Sequence, residues 1–303
     1  MGDYLVKALG YKDNVRLYTV NMTETIREIQ EKLDTWSAST AALGRSLIAT
    51  ALFSKKLKGE ERLSIQVRGD GLGGAIVTEG TADGYVRGYI AEPHLTLPPN
   101  DKGKIDVRRV VGTKGSITVV KDLLMKEPFS GQIPIVDGEL GVDFTYYMAV
   151  SEQINGAMGL SVYVDVDNSV ISAGGFMIEL LPGADEETVN ELEVILNQLP
   201  ALSDFMSANP KPEDLVKEIF KNTDSHILSQ EAIAYRCNCS KDIFARGLIS
   251  IGEKELQAMI DEDHGAEAVC HFCHNAYQFT EEELRDLIHV IQEKKARNEG
   301  SED

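Results

Sequence analysis

The sequence predicts an α+β protein: an N-terminal antiparallel-sheet domain with helices, a helical linker, and a small C-terminal domain gathered around cysteines. Three observations carry this reading. Up to residue 182, short alternating apolar runs are bounded by glycine, the pattern of half-buried strands. At Leu181-Pro182-Gly183 the strand signals stop and acidic amphipathic helices begin. All four cysteines then fall between residues 237 and 273. The expected division is 1–182, 183–230 and 231–303.

The elements follow in order. Tyr4, Val6 and Ala8, then Val15, Leu17 and Thr19, alternate as two strands. Residues 37–57 form a helix rich in small residues, with Leu43, Leu47 and Ala51 recurring at helical spacing. Strands are expected at Leu63–Arg68, Gly74–Glu79, Gly84–Ala91, Ser116–Lys121, Ile133–Val136, Gly159–Val166 and Val170–Ala173, and helices around Val107 and at Thr145–Gln153. The stretch Gly69-Asp70-Gly71-Leu72-Gly73-Gly74 has the composition of a dinucleotide loop. Such a loop needs a helix N-terminus after it to hold pyrophosphate, and here the strand-like Ala75-Ile76-Val77-Thr78 follows. It is therefore a turn between strands. The turn at 112–115 likewise lacks the P-loop pattern.

In the linker, Ala184–Leu199 sets Val189, Leu192, Ile195, Leu196 and Leu199 on one face. A second helix starts at Pro212, with Glu213 and Asp214 favouring its dipole and Leu215, Val216, Ile219 and Phe220 as its apolar face. Both helices are expected to pack on the N-terminal domain in the resting state. The last segment contains short helices at Ser240–Ile251 and Glu253–Glu262, and a strand at Ala276–Phe279. A final helix begins at Thr280, where Glu283 completes a capping box and Leu284, Leu287, Ile288 and Ile291 form the buried stripe.

Composition narrows the function. With 43% hydrophobic and 26% charged residues, the first domain can bury a core without crosslinks. Net charge is −19, and residues 183–303 carry −15 of it, which repels phosphates and argues against nucleic-acid binding. Met1–Tyr18 is interrupted by Asp3, Lys7, Lys12, Asp13 and Arg16, so it does not read as a signal peptide, and no apolar run approaches membrane-spanning length. A cytoplasmic location follows as an expectation, and cytosolic thiols are kept reduced.

Clustered cysteines in a reducing compartment point to metal or redox chemistry. They stand as Cys237-Asn238-Cys239 and, 30 residues on, Cys270-His271-Phe272-Cys273. Two close pairs across a long excursion offer four soft thiolates in a tetrahedron, the ligand set of a closed structural zinc site. One zinc ion per chain is expected. His271 and His274 adjoin the ligands but are not needed, and His94, His226, His264 and His289 have no motif context. Zinc-bound thiolates remain nucleophilic towards peroxide, and each has a close partner, so oxidation can close local disulfides and release the ion. No catalytic triad, phosphate loop or metal-bound-water site appears, which favours a binding protein over an enzyme. Two alternatives stand beside this, a thiol-disulfide oxidoreductase using Cys270 and Cys273 and a zinc-ribbon nucleic-acid binder.

The cysteine quartet resembles the zinc motif of the heat-shock protein 33 family, the redox-regulated molecular chaperones. The resemblance extends through DYLVKA at Asp3–Ala8, AALGR at Ala41–Arg45, DVRRVVG at Asp106–Gly112, GELGVDFTYY at Gly138–Tyr147, AGGF at Ala173–Phe176 and AVCHFCH at Ala268–His274. It implies zinc ligation by Cys237, Cys239, Cys270 and Cys273, and oxidised pairs Cys237–Cys239 and Cys270–Cys273. It also implies an inactive reduced monomer that oxidation converts, usually as a homodimer, into a holdase for unfolding client proteins, independent of ATP and of membranes.

Overall fold

A computed structural model describes residues 2–101 and 103–299. Its contacts divide the chain into two compact units, Met1–Arg236 and Cys237–Asp303. The first unit opens with β1 (Tyr4–Gly10), β2 (Val15–Asn21), α1 (Thr23–Leu33) and α2 (Ser37–Ser54). There follow β3 (Arg62–Gly69), β4 (Ala75–Thr81), β5 (Tyr85–Ile90), α3 (Val107–Val111), β6 (Gly115–Asp122) and β7 (Phe129–Pro134). Then come α4 (Gly141–Val150), β8 (Gly156–Val164), β9 (Val170–Leu180), α5 (Glu186–Gln198), α6 (Leu202–Ala208), α7 (Pro212–Ile219), β10 (Ser225–Ala232) and β11 (Ala234–Tyr235). The first sheet runs β10-β1-β2-β9-β8 and is antiparallel throughout. The second runs β11-β5-β4-β3-β6-β7, with only the β11–β5 pair parallel. The α+β class expected from the sequence is the class observed.

Helix α2 touches β3, β4 and β5 of one sheet and β2, β8 and β9 of the other. Sixteen of its 18 residues are buried, so it is enclosed all round rather than amphipathic. Its small residues make this possible: a Cβ on Gly44 would lie 2.8 Å from Val162 Cγ2. The buried hydroxyls of Ser46, Thr50 and Ser54 donate to the carbonyls of Ala42, Ser46 and Thr50, each four residues back, so the enclosure leaves them satisfied.

The first sheet is apolar on both faces. Along β1 and β2, Leu5, Tyr18 and Val20 enter the α2 core, while Val6, Ala8, Val15 and Leu17 point the other way. That second face is covered by Leu192 of α5, by Leu215, Val216 and Ile219 of α7, and by Phe220. Polar bonds hold the same layer: Thr19 Oγ1 donates to the Pro212 carbonyl at 2.9 Å and Tyr4 Oη to Glu213 Oε2 at 2.7 Å. The linker helices therefore lie within the first unit as its outer layer.

Several elements differ from expectation. The strand signals do not end at residue 182: β10 pairs antiparallel with β1 and extends the first sheet, so the stretch 183–230 is not wholly helical. Its side chains are exposed or half-buried, so it lacks the alternation that marks a strand from sequence. Strand β9 continues to Leu180 rather than Ala173. It is buried on both faces, and a Cβ on Gly174 would sit 2.1 Å from the Val20 carbonyl oxygen. Helix α4 starts at Gly141 rather than Thr145, because the buried Asp143 carboxylate accepts the N–H groups of Val136, Asp137, Gly138 and Leu140 and closes the turn ahead of it. Strand β7 lies at Phe129–Pro134 rather than 133–136, fixed by its pairing with β6. Helices α1 and α6 have no counterpart in the sequence reading; α1 buries only Thr25, Ile26, Ile29 and Leu33.

The second unit comprises α8 (Lys241–Ile251), α9 (Glu253–Asp263), β12 (Gly265–Val269), β13 (Ala276–Thr280) and α10 (Glu281–Glu299). The capping box is present: Thr280 N–H donates to Glu283 Oε2 at 2.9 Å and Glu283 N–H to Thr280 Oγ1 at 3.3 Å. Strand β12, not expected, pairs antiparallel with β13.

Phe220 is 2% exposed and packs edge-on against Tyr11 at 5.8 Å between ring centroids. Removing a buried phenyl ring costs about 3–5 kcal/mol. In the Phe220→Ala protein, amide exchange in α7 should accelerate by more than about a hundredfold while β3 and β6 keep their protection, since the loss falls on the outer layer. Equal acceleration in β3 and β6 would show that the layer does not open separately.

Candidate metal centre

The second unit has a thin core. Its buried apolar residues are Leu256, Ile260, Phe279, Leu284, Ile288 and Ile291, and α8 contributes no fully buried side chain. A domain of this size is marginal on such burial alone. Phe244, Leu248 and Ile249 of α8 pack against this core half-buried, and the cysteine cluster ties the segment before α8 to the β12–β13 hairpin.

Two local structures present the sulfurs. Cys270 and Cys273 lie at the tip of the β12–β13 hairpin, beyond the last pair Val269↔Ala276. The tip is closed by Cys270 N–H to the Asn275 carbonyl at 3.0 Å and His274 N–H to the Cys270 carbonyl at 2.8 Å, with His274 at φ 57°. Cys237 and Cys239 lie in the extended segment before α8, where the Ser240 side chain caps the helix by accepting from Ile243 N–H at 3.3 Å. Tyr277, on β13, joins the two parts. Its hydroxyl donates to the Cys239 carbonyl at 3.1 Å and lies 3.2 Å from Cys239 Sγ, while its ring is 5.2 Å from that of Phe244 on α8.

All four sulfurs lie within 4.8 Å of one another. Cys237 Sγ is 3.7 Å from Cys270 Sγ, and Cys239 Sγ is 3.4 Å from Cys273 Sγ. A tetrahedral centre with metal–sulfur bonds of about 2.3 Å has edges of about 3.8 Å, so the cluster already has the right size. All four cysteines are free thiols. The structure thus brings together every ligand expected from the sequence. His271 and His274, both exposed, do not join this group.

Burial opposes ionisation of Cys237, but the Cys239 backbone N–H and the neighbouring thiols donate to its sulfur and bring it down to about 7. Burial pushes Cys270 and Cys273 up; Cys237 adds to the rise at Cys270, and the other three sulfurs add to it at Cys273. Several thiolates this close together would repel one another, and a cation among them would relieve that repulsion. The donor set is soft and closed at four, which suits a structural tetrahedral metal and leaves no position for a reacting water. Tyr277 is the contributor that motif reading passes over. Nothing in the spacing singles it out, and only the hairpin places it against Cys239.

An α+β body followed by a small module that gathers four thiols defines a protein with a candidate closed metal site. The family model described as Hsp33 protein matches residues 3–280, and the chain belongs to the Hsp33 family. It is 51% identical to the 33 kDa chaperonin of Enterococcus faecalis, over 95% of this chain and 96% of that one. It is 50% identical to the 33 kDa chaperonin of Levilactobacillus brevis, over 97% and 100% respectively. The crystal structure of the 33 kDa chaperonin (heat shock protein 33 homolog) from Thermotoga maritima superposes with a TM-score of 0.88 at 34% identity, covering 96% of this chain and 99% of that one. These relatives are named as chaperonins, not as enzymes. Among the described residues, no helix is long and apolar enough to cross a membrane.

Partners that orient a metal ligand typically contribute 10–100-fold to metal affinity. Tyr277→Phe should therefore weaken zinc binding by about that factor in competition with a chromophoric chelator. An unchanged affinity would reduce the Tyr277 contacts to packing.

Proposed function

We propose that this protein is a redox-regulated, ATP-independent holdase of the cytoplasm, inactive when reduced and zinc-bound, and activated by oxidation of its four cysteines. The observation that carries the proposal is the cluster of four free thiols that joins two segments of a unit with a small core. Family membership and the chaperonin names of its relatives support the same reading.

Cys237, Cys239, Cys270 and Cys273 would hold the ion. When bound, zinc supplies structural chemistry alone, offsetting two of the four thiolate charges and fastening the C-x-C segment to the hairpin tip; in small finger domains this is worth roughly 10–16 kcal/mol. The rest belongs to the chain. A thiolate attacks peroxide to give a sulfenic acid and hydroxide, and its neighbour displaces a second hydroxide to close the disulfide. Each disulfide thus consumes two thiolates and one peroxide. The pairs are Cys237–Cys239 and Cys270–Cys273, each formed within its own segment. Sulfurs paired in this way no longer join the two segments, and the six-residue core is left without its tie.

Residues 1–182 are the chaperone body, 183–230 the linker and 231–303 the switch. The linker's resting cover is an apolar layer that includes Leu192, Leu215, Ile219 and Phe220. Helices as short as α5 and α7 are marginal in water without packing. When the switch unfolds, the layer loosens and its apolar faces bind clients, the surrounding acidic residues keeping the complex dissolved. The active form is a homodimer. The oxidoreductase alternative places a C-x-x-C between a strand and a helix; here Cys270 and Cys273 lie at a hairpin tip.

The reduced protein should contain one zinc per chain by elemental analysis. Peroxide with gentle warming should release that zinc and make the protein suppress aggregation of a denatured test protein, with or without ATP. Equal suppression by the reduced protein would contradict the switch. Hydrogen exchange should quicken across residues 183–303 on oxidation while β3, β4 and β6 remain protected. Unchanged protection of 183–230 would remove the linker from the mechanism.

A further inference from the structure

Strand β10 is seated on the body without being built into it. All eight of its side chains are exposed or half-buried, Ile227 and Leu228 each to 46%. It is held by backbone pairing with β1, across a register shift between Lys7 and Ala8. Its apolar anchors lie outside it, Phe220 before and Ile233 after, the latter 3% exposed. Beyond its backbone, Lys55 Nζ donates to Glu231 Oε2 at 2.9 Å, Gln230 Nε2 donates to Glu213 Oε1 at 2.6 Å, and His226 Nδ1 lies 3.7 Å from Asp13 Oδ1; of these, the Lys55 pair is the one that reaches an enclosed charge.

That pair is lopsided. The Lys55 side chain is 2% exposed and the Glu231 side chain 40%. The enclosed cationic half of the site belongs to α2's C-terminal end, and the carboxylate arrives with the strand. Lys7, on β1, adds its positive charge at the same carboxylate. An enclosed ammonium without a counter-ion is costly. Departure of β10 would therefore leave two vacancies side by side: a row of unpaired backbone groups along β1, whose other edge is taken by β2, and an uncompensated lysine. A sheet edge of this kind is a template for strand addition.

We propose that the β1 edge is a client-docking site, taking an extended segment of an unfolded protein antiparallel to β1 with a carboxylate placed on Lys55. In the resting structure β10 fills this site, and it shows what fits: eight extended residues with an acidic side chain next to the last. The proposal deepens the holdase reading and rests on it, since β10 leaves the edge when the linker loosens. The cationic position makes the docking selective, favouring extended segments that carry an acidic residue over purely apolar ones.

The probe is a fluorescein-labelled peptide of residues 223–233, TDSHILSQEAI, titrated by anisotropy with the full-length chain. The oxidised chain should bind it at least about tenfold more tightly than the reduced chain, in which β10 occupies the edge. The peptide carrying Glu231→Gln should bind the oxidised chain about three- to tenfold more weakly, because a charge-assisted bond is lost. An oxidised Lys55→Met chain should bind both peptides alike, and the unmodified peptide should displace a captured denatured protein. An oxidised chain that suppresses aggregation yet ignores the peptide, or binds the two peptides equally, overturns the docking site and leaves the holdase reading standing. Exchange of β10 between two copies that excludes the peptide overturns it too, making the edge a self-association site. An oxidised chain that binds the peptide with the Glu231 preference but protects no denatured protein sinks the holdase reading and leaves the strand-accepting edge in place.

Discussion

A sheet with apolar side chains on both faces has to be covered twice, and the first sheet of this protein is of that kind. One cover is permanent. Helix α2 is enclosed between the two sheets, its hydroxyls satisfied by its own carbonyls and its glycine in contact distance of β8. The other cover, α5 to α7, is a layer of short helices whose apolar residues meet Val6, Val15 and Leu17 from outside. Layers are not equally secure when one is a buried helix of 18 residues and the other a set of one- to four-turn helices with an acidic exterior. The difference makes it physically reasonable for a chain to expose a large apolar face without unfolding its body.

Stability in the second unit has a different origin. Four sulfurs within 4.8 Å of one another would repel one another strongly as anions. On the proposed reading, a dication would relieve that repulsion and hold the module closed. Chemistry that converts the thiolates to disulfides leaves a unit whose helix α8 has no fully buried residue. On the proposed reading, the reactive groups and the structural tie would be the same atoms, so no separate device would have to transmit the oxidation to the packing.

Much of this was legible in the residues. The α+β class, the sheet strands from Leu63 to Lys121, the enclosed helix at 37–57, the two amphipathic linker helices and the capping box at Thr280 and Glu283 all follow from periodicity and local chemistry, which are properties of neighbouring residues. The four ligands were legible for the same reason, since C-x-C and C-x-x-C are local spacings. The edge strand β10 was not. Its partner β1 lies more than 200 residues earlier, and an exposed edge strand buries too little to impose alternation on its sequence. The register of α4 was hidden because it depends on how one carboxylate, Asp143, gathers four backbone donors.

The sequence by itself therefore determined the kind of protein and which four cysteines would gather, because local pattern and thiol chemistry are written in adjacent residues. Tertiary structure alone decided that the linker is an outer layer of the body and that Tyr277 steadies Cys239. It also decided that Lys55, at the end of the buried helix, faces Glu231 on β10. Each of these joins residues far apart in the chain, and their meeting is set by burial and sheet pairing that no local pattern records.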